Sequence, residues 1–210
     1  MDKKGRWISV SAEGEASVAP DLAVVSFAVT GNGRELAPTR DDVNQRSSAV
    51  LAALRDLGVA DGDLNAPDVG IHPEYDYRKG QRLIGYRVMR QMTAKVRDLD
   101  RLGDVLDGLV AAGANEVHGA QMSASDPSAA EHEALAAAVT AARAKAEVLA
   151  TASGVKLGPL ARIDEEADFG GSPMPKMRMM AMVESADAPT EVAAGDLTVT
   201  RRIRAWFDLG

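Results

Sequence analysis

The chain has 210 residues, enough for one large domain or two small ones, and 46% of them are hydrophobic while only 4% are aromatic. Its formal net charge of -7 at pH 7 argues against nucleic-acid binding, which requires a basic face. The absence of cysteine excludes disulfides, cysteine-based metal sites and a thiol nucleophile.

The first part of the chain has the pattern of two strands. Apolar and polar residues alternate over residues 8–18, which predicts a strand with one face in water. Pro20-Asp21 then predicts a turn. Residues 22–29 are apolar on both faces, which is typical of a strand in the centre of a sheet.

A helix and a third strand follow. Thr39 is predicted to be the N-cap of the helix, and Gly58 is its predicted stop. Residues 69–77 alternate again and predict a strand that ends in a polar hairpin turn at 78–81. Because proline cannot donate a backbone hydrogen bond, Pro73 predicts that this strand is an edge strand or is locally broken.

The central stretch predicts a strand, a helix and a second strand. The first strand covers residues 86–96, where Arg90 interrupts the apolar face and indicates either a bulge or a side chain that reaches out to water. Asp98 is predicted to cap a helix that ends at Gly113. A weaker strand over 116–123 completes the stretch.

The last part of the chain begins with an alanine-rich helix. Asp126 at the N-cap and Pro127 at the first position predict its start, and it should run to about Thr151. Its buried side is predicted to contain Leu135, Val139, Ala142, Ala146 and Leu149. Strands are predicted over 155–166 and 197–209.

The predicted order is ββαββ-αβαββ, which indicates an α+β fold with a mixed sheet, or sheets, of about seven strands and three helices. We expect a single domain over residues 1–210. A division into two intertwined subdomains, about 1–97 and 98–210, is left open. Residues 169–190 lack a clear period and are predicted to form a long flexible loop.

Residues spread over nearly the whole chain, through their joint order and spacing, carry a family resemblance. They are Gly14, Pro20, Asp21, Pro73, Tyr75, Tyr77, Gly85, Tyr86, Val96–Leu99, Gly113–Asn115, Ala141, Ala142, Arg143, Lys145, Ala146, Leu149, Gly158 and Gly195. In these the chain resembles the SIMPL domain family, in its bacterial branch of periplasmic immunogenic proteins linked to oxidative-stress defence. The resemblance implies an exported protein and a homo-oligomer. It implies no enzymatic activity, cofactor or catalytic residue.

The location expected from this resemblance is the periplasm or cell envelope. The basic N-terminus, Met1–Arg6, is followed by a strand pattern and not by the apolar core of a signal peptide, so a cytoplasmic location stays open. No apolar run approaches the roughly 20 residues of a membrane-spanning helix. Peripheral association with a membrane also stays open.

Five methionines lie close together within the predicted loop: Met174, Met177, Met179, Met180 and Met182. Thioethers suit Cu(I), and methionine also consumes oxidants by forming the sulfoxide. A copper-binding, small-ligand or oxidant-scavenging protein is therefore the alternative to a purely assembling one. The simpler interpretation is a loop that packs against a neighbouring subunit, because methionine adapts to irregular surfaces.

No motif for catalysis or for a cofactor is present. The sequence has no Gly-x-Ser-x-Gly elbow, phosphate-binding loop or dinucleotide fingerprint. The three histidines, His72, His118 and His132, lack the spacing of metal ligands.

Aromatic residues supply the remaining candidates. Tyr75, Tyr77 and Trp206 are predicted to lie at an interface, where aromatic residues are enriched. The arginines beside Trp206 are expected to pair with acidic side chains on an adjacent strand. The hypothesis is thus a non-enzymatic, self-assembling envelope protein linked to stress defence, with itself as partner and no nucleic acid.

Overall fold

A computed structural model describes residues 6–78, 80–166, 174–175 and 195–210. The helices are α1 (Leu36–Asp56), α2 (Leu102–Ala111) and α3 (Ser128–Ala152). The strands are β1 (Trp7–Val18), β2 (Leu22–Gly33), β3 (Leu64–Asn65), β4 (Gly70–Asp76), β5 (Arg82–Val96), β6 (Glu116–Ser123), β7 (Leu157–Glu166), β8 (Met174–Pro175) and β9 (Leu197–Leu209). The predicted α+β class, its three helices and its seven longer strands are confirmed.

The chain forms two compact units. Residues Asp21–Ser123 form the first, here named the central unit, which contains β2 to β6 with α1 and α2. The described residues of 6–20, 124–166, 174–175 and 195–210 belong to the second, here named the terminal unit, with α3 and the remaining strands. Each unit has its own sheet.

The sheet of the central unit has the strand order β3-β5-β2-β6, and β4 also pairs with β5. The predicted central position of β2 is confirmed, because β2 pairs with β5 on one side and β6 on the other. Alternate side chains of β2 pack with α1 and α2 into one core. Its fully buried members include Ala23, Val25, Phe27, Val29, Val43, Val50, Leu54 and Leu109. Burying each large aliphatic or aromatic side chain contributes about 1.5–3 kcal/mol.

The sheet of the terminal unit has the order β1-β9-β7, with β8 also on β9, and α3 packs on β1 and β9. The helix contacts the sheet through a stripe of alanines four residues apart: Ala130, Ala134, Ala138, Ala142, Ala146 and Ala150. The prediction that Val139 and Leu149 lie on the buried side is wrong, since they are 39% and 47% exposed. Only small side chains fit, because the helix lies directly on Gly14.

The predicted start of α1 is wrong, and that of α2 is correct in position but not in its capping bond. Thr39 lies inside α1, which begins at Leu36, and its hydroxyl donates to the Glu35 carbonyl at 2.7 Å. Thr39 is buried inside the helix. Its hydroxyl donates to the backbone carbonyl one turn earlier and does not cap a helix end. Asp98 is at the N-cap position of the 3-10 turn Leu99–Arg101, which continues directly into α2 at Leu102, but its side chain makes no capping hydrogen bond.

The predicted start of α3 is one residue early, because Pro127 is the N-cap and Ser128 the first helical residue, but Asp126 binds the first turn as expected. The Asp126 carboxylate accepts hydrogen bonds from the Ser128 backbone N–H (3.0 Å) and hydroxyl (2.6 Å). These two bonds lower the pKa of Asp126. Asp126 therefore satisfies a backbone donor that the first helical turn would leave unpaired.

None of the helices in the described part of the chain combines the length and apolar character needed to cross a bilayer. The predicted loop at 169–190 lies outside the described residues, except that Met174–Pro175 pairs with β9 as a two-residue strand.

Candidate functional site

The hairpin of β4 and β5 extends beyond the rest of the central sheet. β5 pairs with β2 only from Tyr86 onward, whereas its residues before Tyr86 pair with β4 alone. We name residues 70–85, apart from the undescribed residue 79, the arm. Among the described strands β4 pairs only with β5, which confirms the predicted edge position of the strand that contains Pro73. A ribbon of two strands is marginally stable alone, so its outer part gains most from a contact with something else.

The arm exposes large hydrophobic side chains. They are Ile71 (42% exposed), Tyr75 (37%), Tyr77 (71%), Leu83 (43%) and Ile84 (50%). The rings of Tyr75 and Tyr77 lie 6.2 Å apart between centroids and are tilted by 50°. Exposed apolar clusters of this kind mark contact surfaces. The predicted interface residues Tyr75 and Tyr77 are therefore brought together, and their interface role stays a prediction.

A bulge interrupts the pairing of β4 and β5 within the arm. Glu74 lies opposite Gly85 and Tyr75 lies opposite Leu83, so Ile84 is the extra residue in β5. At Gly85 an added Cβ atom would come within 2.7 Å of the Gly33 carbonyl oxygen. The lack of a side chain at Gly85 thus lets β5 pass close to the end of β2.

Arg90 fixes the segment that leads into the arm. Its guanidinium donates to the carbonyls of Pro67 (3.0 Å) and Ala66 (3.1 Å). The predicted bulge at Arg90 is wrong, because Arg90 pairs regularly with Val29. The alternative, a side chain that reaches out of the core, agrees with these contacts. The guanidinium thereby supplies donors to two carbonyls of a segment that lies outside the strands.

An ion pair fixes the same connection closer to β3. Arg97 donates two hydrogen bonds to the Asp63 carboxylate, at 2.7 and 2.8 Å. The Asp63 side chain is only 11% exposed. The hydrogen bond from Arg97, with its positive charge, lowers the pKa of Asp63 below the usual value.

We expect Asp63→Asn to lower the free energy of unfolding at pH 7 and to have a smaller effect as the pH falls below the unfolded-state pKa. The folded-state pKa of Asp63 lies below its unfolded value of about 3.9, so the ionised carboxylate stabilises the fold fully above that value. This contribution is lost as the pH falls through the lowered folded-state pKa. Urea denaturation at several pH values measures the difference between variant and wild type. A difference that stays constant down to pH 3 would contradict the role of the charge.

Trp206 is half-buried and contacts an arginine of its own unit. The Arg162 guanidinium lies 4.9 Å from the Trp206 ring centroid, as in a cation–π contact. Three arginines of β9 pair with carboxylates: Arg201 with Glu131, Arg202 with Glu13, and Arg204 with Glu166. The predicted pairing with acids on adjacent strands is confirmed for Arg202 and Arg204, while Glu131 belongs to α3. An interface role for Trp206 stays a prediction.

Most of the five candidate methionines lie outside the described residues. The backbone of Met174 pairs with Thr198, whereas Met177, Met179, Met180 and Met182 lie outside the described residues. Within the described ranges, no group of three or more His, Asp or Glu side chains could hold a metal ion.

His118 belongs to a small polar network on β6. Its Nε2 lies 4.0 Å from Glu116, and Glu116 accepts from the Thr30 hydroxyl (2.8 Å) and from Arg87 (3.0 Å). The Thr30 hydroxyl is the main cause that lowers the pKa of Glu116, with Arg87 adding to it. This carboxylate is thus engaged in tying strands together.

A groove between α3 and β1 is a second candidate surface, which the sequence did not predict. Its volume is about 680 Å³, and its lining residues are Val10, Ser11, Ala141, Ala144, Lys145, Val148 and Leu149. Val148 is 69% exposed. The signal available in the sequence was the position of Val148 and Leu149 beside the alanine stripe of α3.

These features define a two-unit α+β protein with an exposed apolar arm and an apolar groove. The chain belongs to the SIMPL family: the family model, described as a protein of unknown function (DUF541), matches residues 8–207.

Three relatives are similar over most of their length. The uncharacterized protein YggE of Edwardsiella ictaluri is 30% identical over 186 residues, 88% of this chain and 77% of that protein. The 26 kDa periplasmic immunogenic protein of Brucella melitensis is 30% identical over 213 aligned residues, 96% of this chain and 84% of that protein. YggE of Escherichia coli K12 is 28% identical over 177 residues, 84% and 72% of the two chains. None of these three names states an enzymatic activity.

Proposed function

We propose that the protein is a non-enzymatic envelope protein that acts by assembling into a homo-oligomer through its arm. The observation that carries the proposal is the set of five exposed hydrophobic side chains between Ile71 and Ile84. Water contact at these side chains is unfavourable, and a second protein surface removes it.

The number of exposed hydrophobic side chains on the arm suits an association interface. Fully burying a large apolar side chain contributes about 1.5–3 kcal/mol, and these five are already partly buried. Association costs on the order of 4–15 kcal/mol in translational and rotational freedom. Several such side chains must therefore be buried together, which favours an interface that takes up the whole arm over one that contacts a single tyrosine.

The proposed compartment is the periplasm or cell envelope. The Brucella melitensis relative, which is named a periplasmic protein, supports this location. The chain also lacks cysteine, which is compatible with an oxidising compartment. The proposed link to stress defence rests on the family resemblance alone. Fractionation of cells that express the natural gene checks the location.

We expect the wild-type protein to assemble and the double variant Tyr77→Asp/Ile84→Asp to be monomeric. Two charges on the arm make its burial unfavourable, because an ion loses its hydration in an apolar interface. Size-exclusion chromatography with light scattering measures the mass, which is 22.1 kDa for one chain. The wild type should give a multiple of this mass, and the variant should give the mass itself.

The matched control is Val110→Asp on α2, in the same unit. Val110 is 61% exposed but lies outside the arm, so this variant should assemble like the wild type. A wild type that stays at one chain mass at high concentration would contradict the proposal. A monomeric wild type whose binding to lipid vesicles is lost in the double variant would identify the arm as a membrane contact instead.

A further inference from the structure

We infer that the arm of one copy docks into the groove of a second copy, so that the subunits associate head to tail. This inference rests on the proposed homo-oligomer and names its contact surfaces. The arm and the groove are different surfaces, so the contact is heterologous. In an open chain of subunits, one end copy keeps an unused arm and the other keeps an unused groove.

The groove has the form of a receptor for apolar side chains. On its helix side, the small residues Ala141 and Ala144 leave space between Val148 and the sheet. On its strand side it is bordered by Val10 and Ser11 of β1, which pairs with β9 alone among the described strands. Val148 and Leu149 are 69% and 47% exposed, so the groove is open in this structure.

Lys145 favours the insertion of side chains over the addition of a strand. Its Nζ donates to the Ser11 carbonyl at 2.9 Å, on the backbone edge that another strand would need. A lysine placed on an edge in this way protects the edge from strand addition. The occupant of the groove is therefore expected to bring exposed apolar side chains rather than a new strand.

The arm is the segment that supplies such side chains. It carries five of the thirteen large hydrophobic side chains that are exposed in the described part of the chain. No other element in that part carries more than three of them, and those three lie on α3 itself. Tyr75, Leu83 and Ile84 lie where β4 and β5 pair only with each other. A ribbon of two strands is narrow enough to enter a groove beside a helix.

The apolar lining, and not charge, selects this occupant. Lys145 is the one charged residue among those that line the groove. The arm carries both signs of charge, Glu74 and Asp76 as well as Arg78 and Arg82.

A mixing experiment tests the docking of unlike surfaces. The arm variant is Tyr77→Asp/Ile84→Asp, and the groove variant is Val148→Asp. Each alone should be monomeric, but the groove variant retains an arm and the arm variant retains a groove. Mixed in equal amounts, they should form one-to-one dimers of twice the chain mass, which light scattering and native mass spectrometry detect.

The matched control for the groove is Val139→Asp, which lies on α3 outside the groove lining and is 39% exposed. It should assemble like the wild type. Circular dichroism checks that all variants keep their helix content.

Cross-linking gives a second measurement that does not depend on charged substitutions. Since the chain has no native cysteine, Ile84→Cys and Val148→Cys can be placed in separate copies. Mixed with an added oxidant, they should form a disulfide-linked heterodimer. Replacing Ile84→Cys by Val110→Cys should abolish the product.

The outcomes separate the two proposals. A monomeric wild type overturns the proposed function and the docking together. A wild type that assembles, with a groove variant that assembles equally well and no cross-link between residues 84 and 148, overturns the docking only. Arm-to-arm association predicts that second result, because the groove would then be outside the interface.

Discussion

Gly14→Ala is expected to lower the free energy of unfolding by about 3 kcal/mol, at the upper end of the cost of overpacking. An added Cβ atom would lie 2.1 Å from the Ala134 carbonyl oxygen and 2.3 Å from the Ala138 nitrogen. Both are backbone atoms of α3, so the clash cannot be relieved by turning a side chain. The helix must move away from β1, which opens gaps along the whole alanine stripe.

The tryptophans report this change directly. The protein contains two, Trp7 and Trp206, and both belong to the terminal unit. Urea denaturation followed by tryptophan fluorescence should show a lower midpoint for Gly14→Ala. The control is Gly103→Ala, which adds the same methyl group where no atom lies within 4 Å and should leave the stability unchanged or slightly raised. Equal midpoints for Gly14→Ala and the wild type would contradict the close contact.

Phe27→Ala is expected to cost about 3–5 kcal/mol, as large-to-small changes of buried aromatic residues do. Phe27 is fully buried in the core of the central unit, where β2 meets α1 and α2. Its removal leaves a cavity that the paired strands on both sides of β2 prevent from collapsing. Hydrogen exchange of β2 and β5 peptides, with urea denaturation, measures the loss.

The control for this change is Ser26→Ala on the same strand. Ser26 points to the opposite face of the sheet and is half-buried, so its replacement should cost less than about 1 kcal/mol. If Phe27→Ala were no more harmful than Ser26→Ala, the core assignment of the central unit would be wrong.

Periodicity predicted the elements because each pattern is local. The alternation of β1 and the doubly apolar β2 follow from which faces meet water, and both were read correctly. Thr39 and Asp98 misled the prediction because a polar residue before an apolar run looks the same whether or not its side chain caps a helix. Contacts made elsewhere decide that choice, such as the burial of Thr39 in α1.

The alanine stripe shows a different limit. Its period was recognised, but the larger residues Val139 and Leu149 were assigned to the buried side. Hydrophobicity alone favours them, whereas the space available is decided by Gly14, more than a hundred residues earlier in the chain. A long-range packing constraint of this kind has no local signal.

The sequence did not indicate what structural role the family positions Gly113–Asn115 have. The Asn115 side chain accepts from the Thr30 N–H and donates to the Thr30 carbonyl, both at 2.8 Å. It thereby replaces a strand partner at the end of β2, where β6 pairing begins. A single sequence does not distinguish this role from that of an ordinary turn asparagine.

The candidate site was predicted in part. Tyr75 and Tyr77 stood out as aromatic residues in a chain with few of them, and they lie on the arm. Ile71, Leu83 and Ile84 did not stand out, because alternation cannot tell where a neighbouring strand stops covering a face. The groove could not be predicted either, since it is built from β1 and α3, elements far apart in the sequence.

The position of β9 between β1 and β7 has a consequence for how the chain reaches its native state. Glu13 of β1 and Arg202 of β9 are 189 positions apart, whereas the described residues of the central unit belong to one segment, Asp21–Ser123. Closing so long a loop is entropically costly, and such non-local pairing slows folding. We therefore expect the central unit to acquire protection from proteases first. The alanine-rich helix should become resistant only after β9 has joined β1, so a chain cut before residue 197 would leave that helix open to degradation.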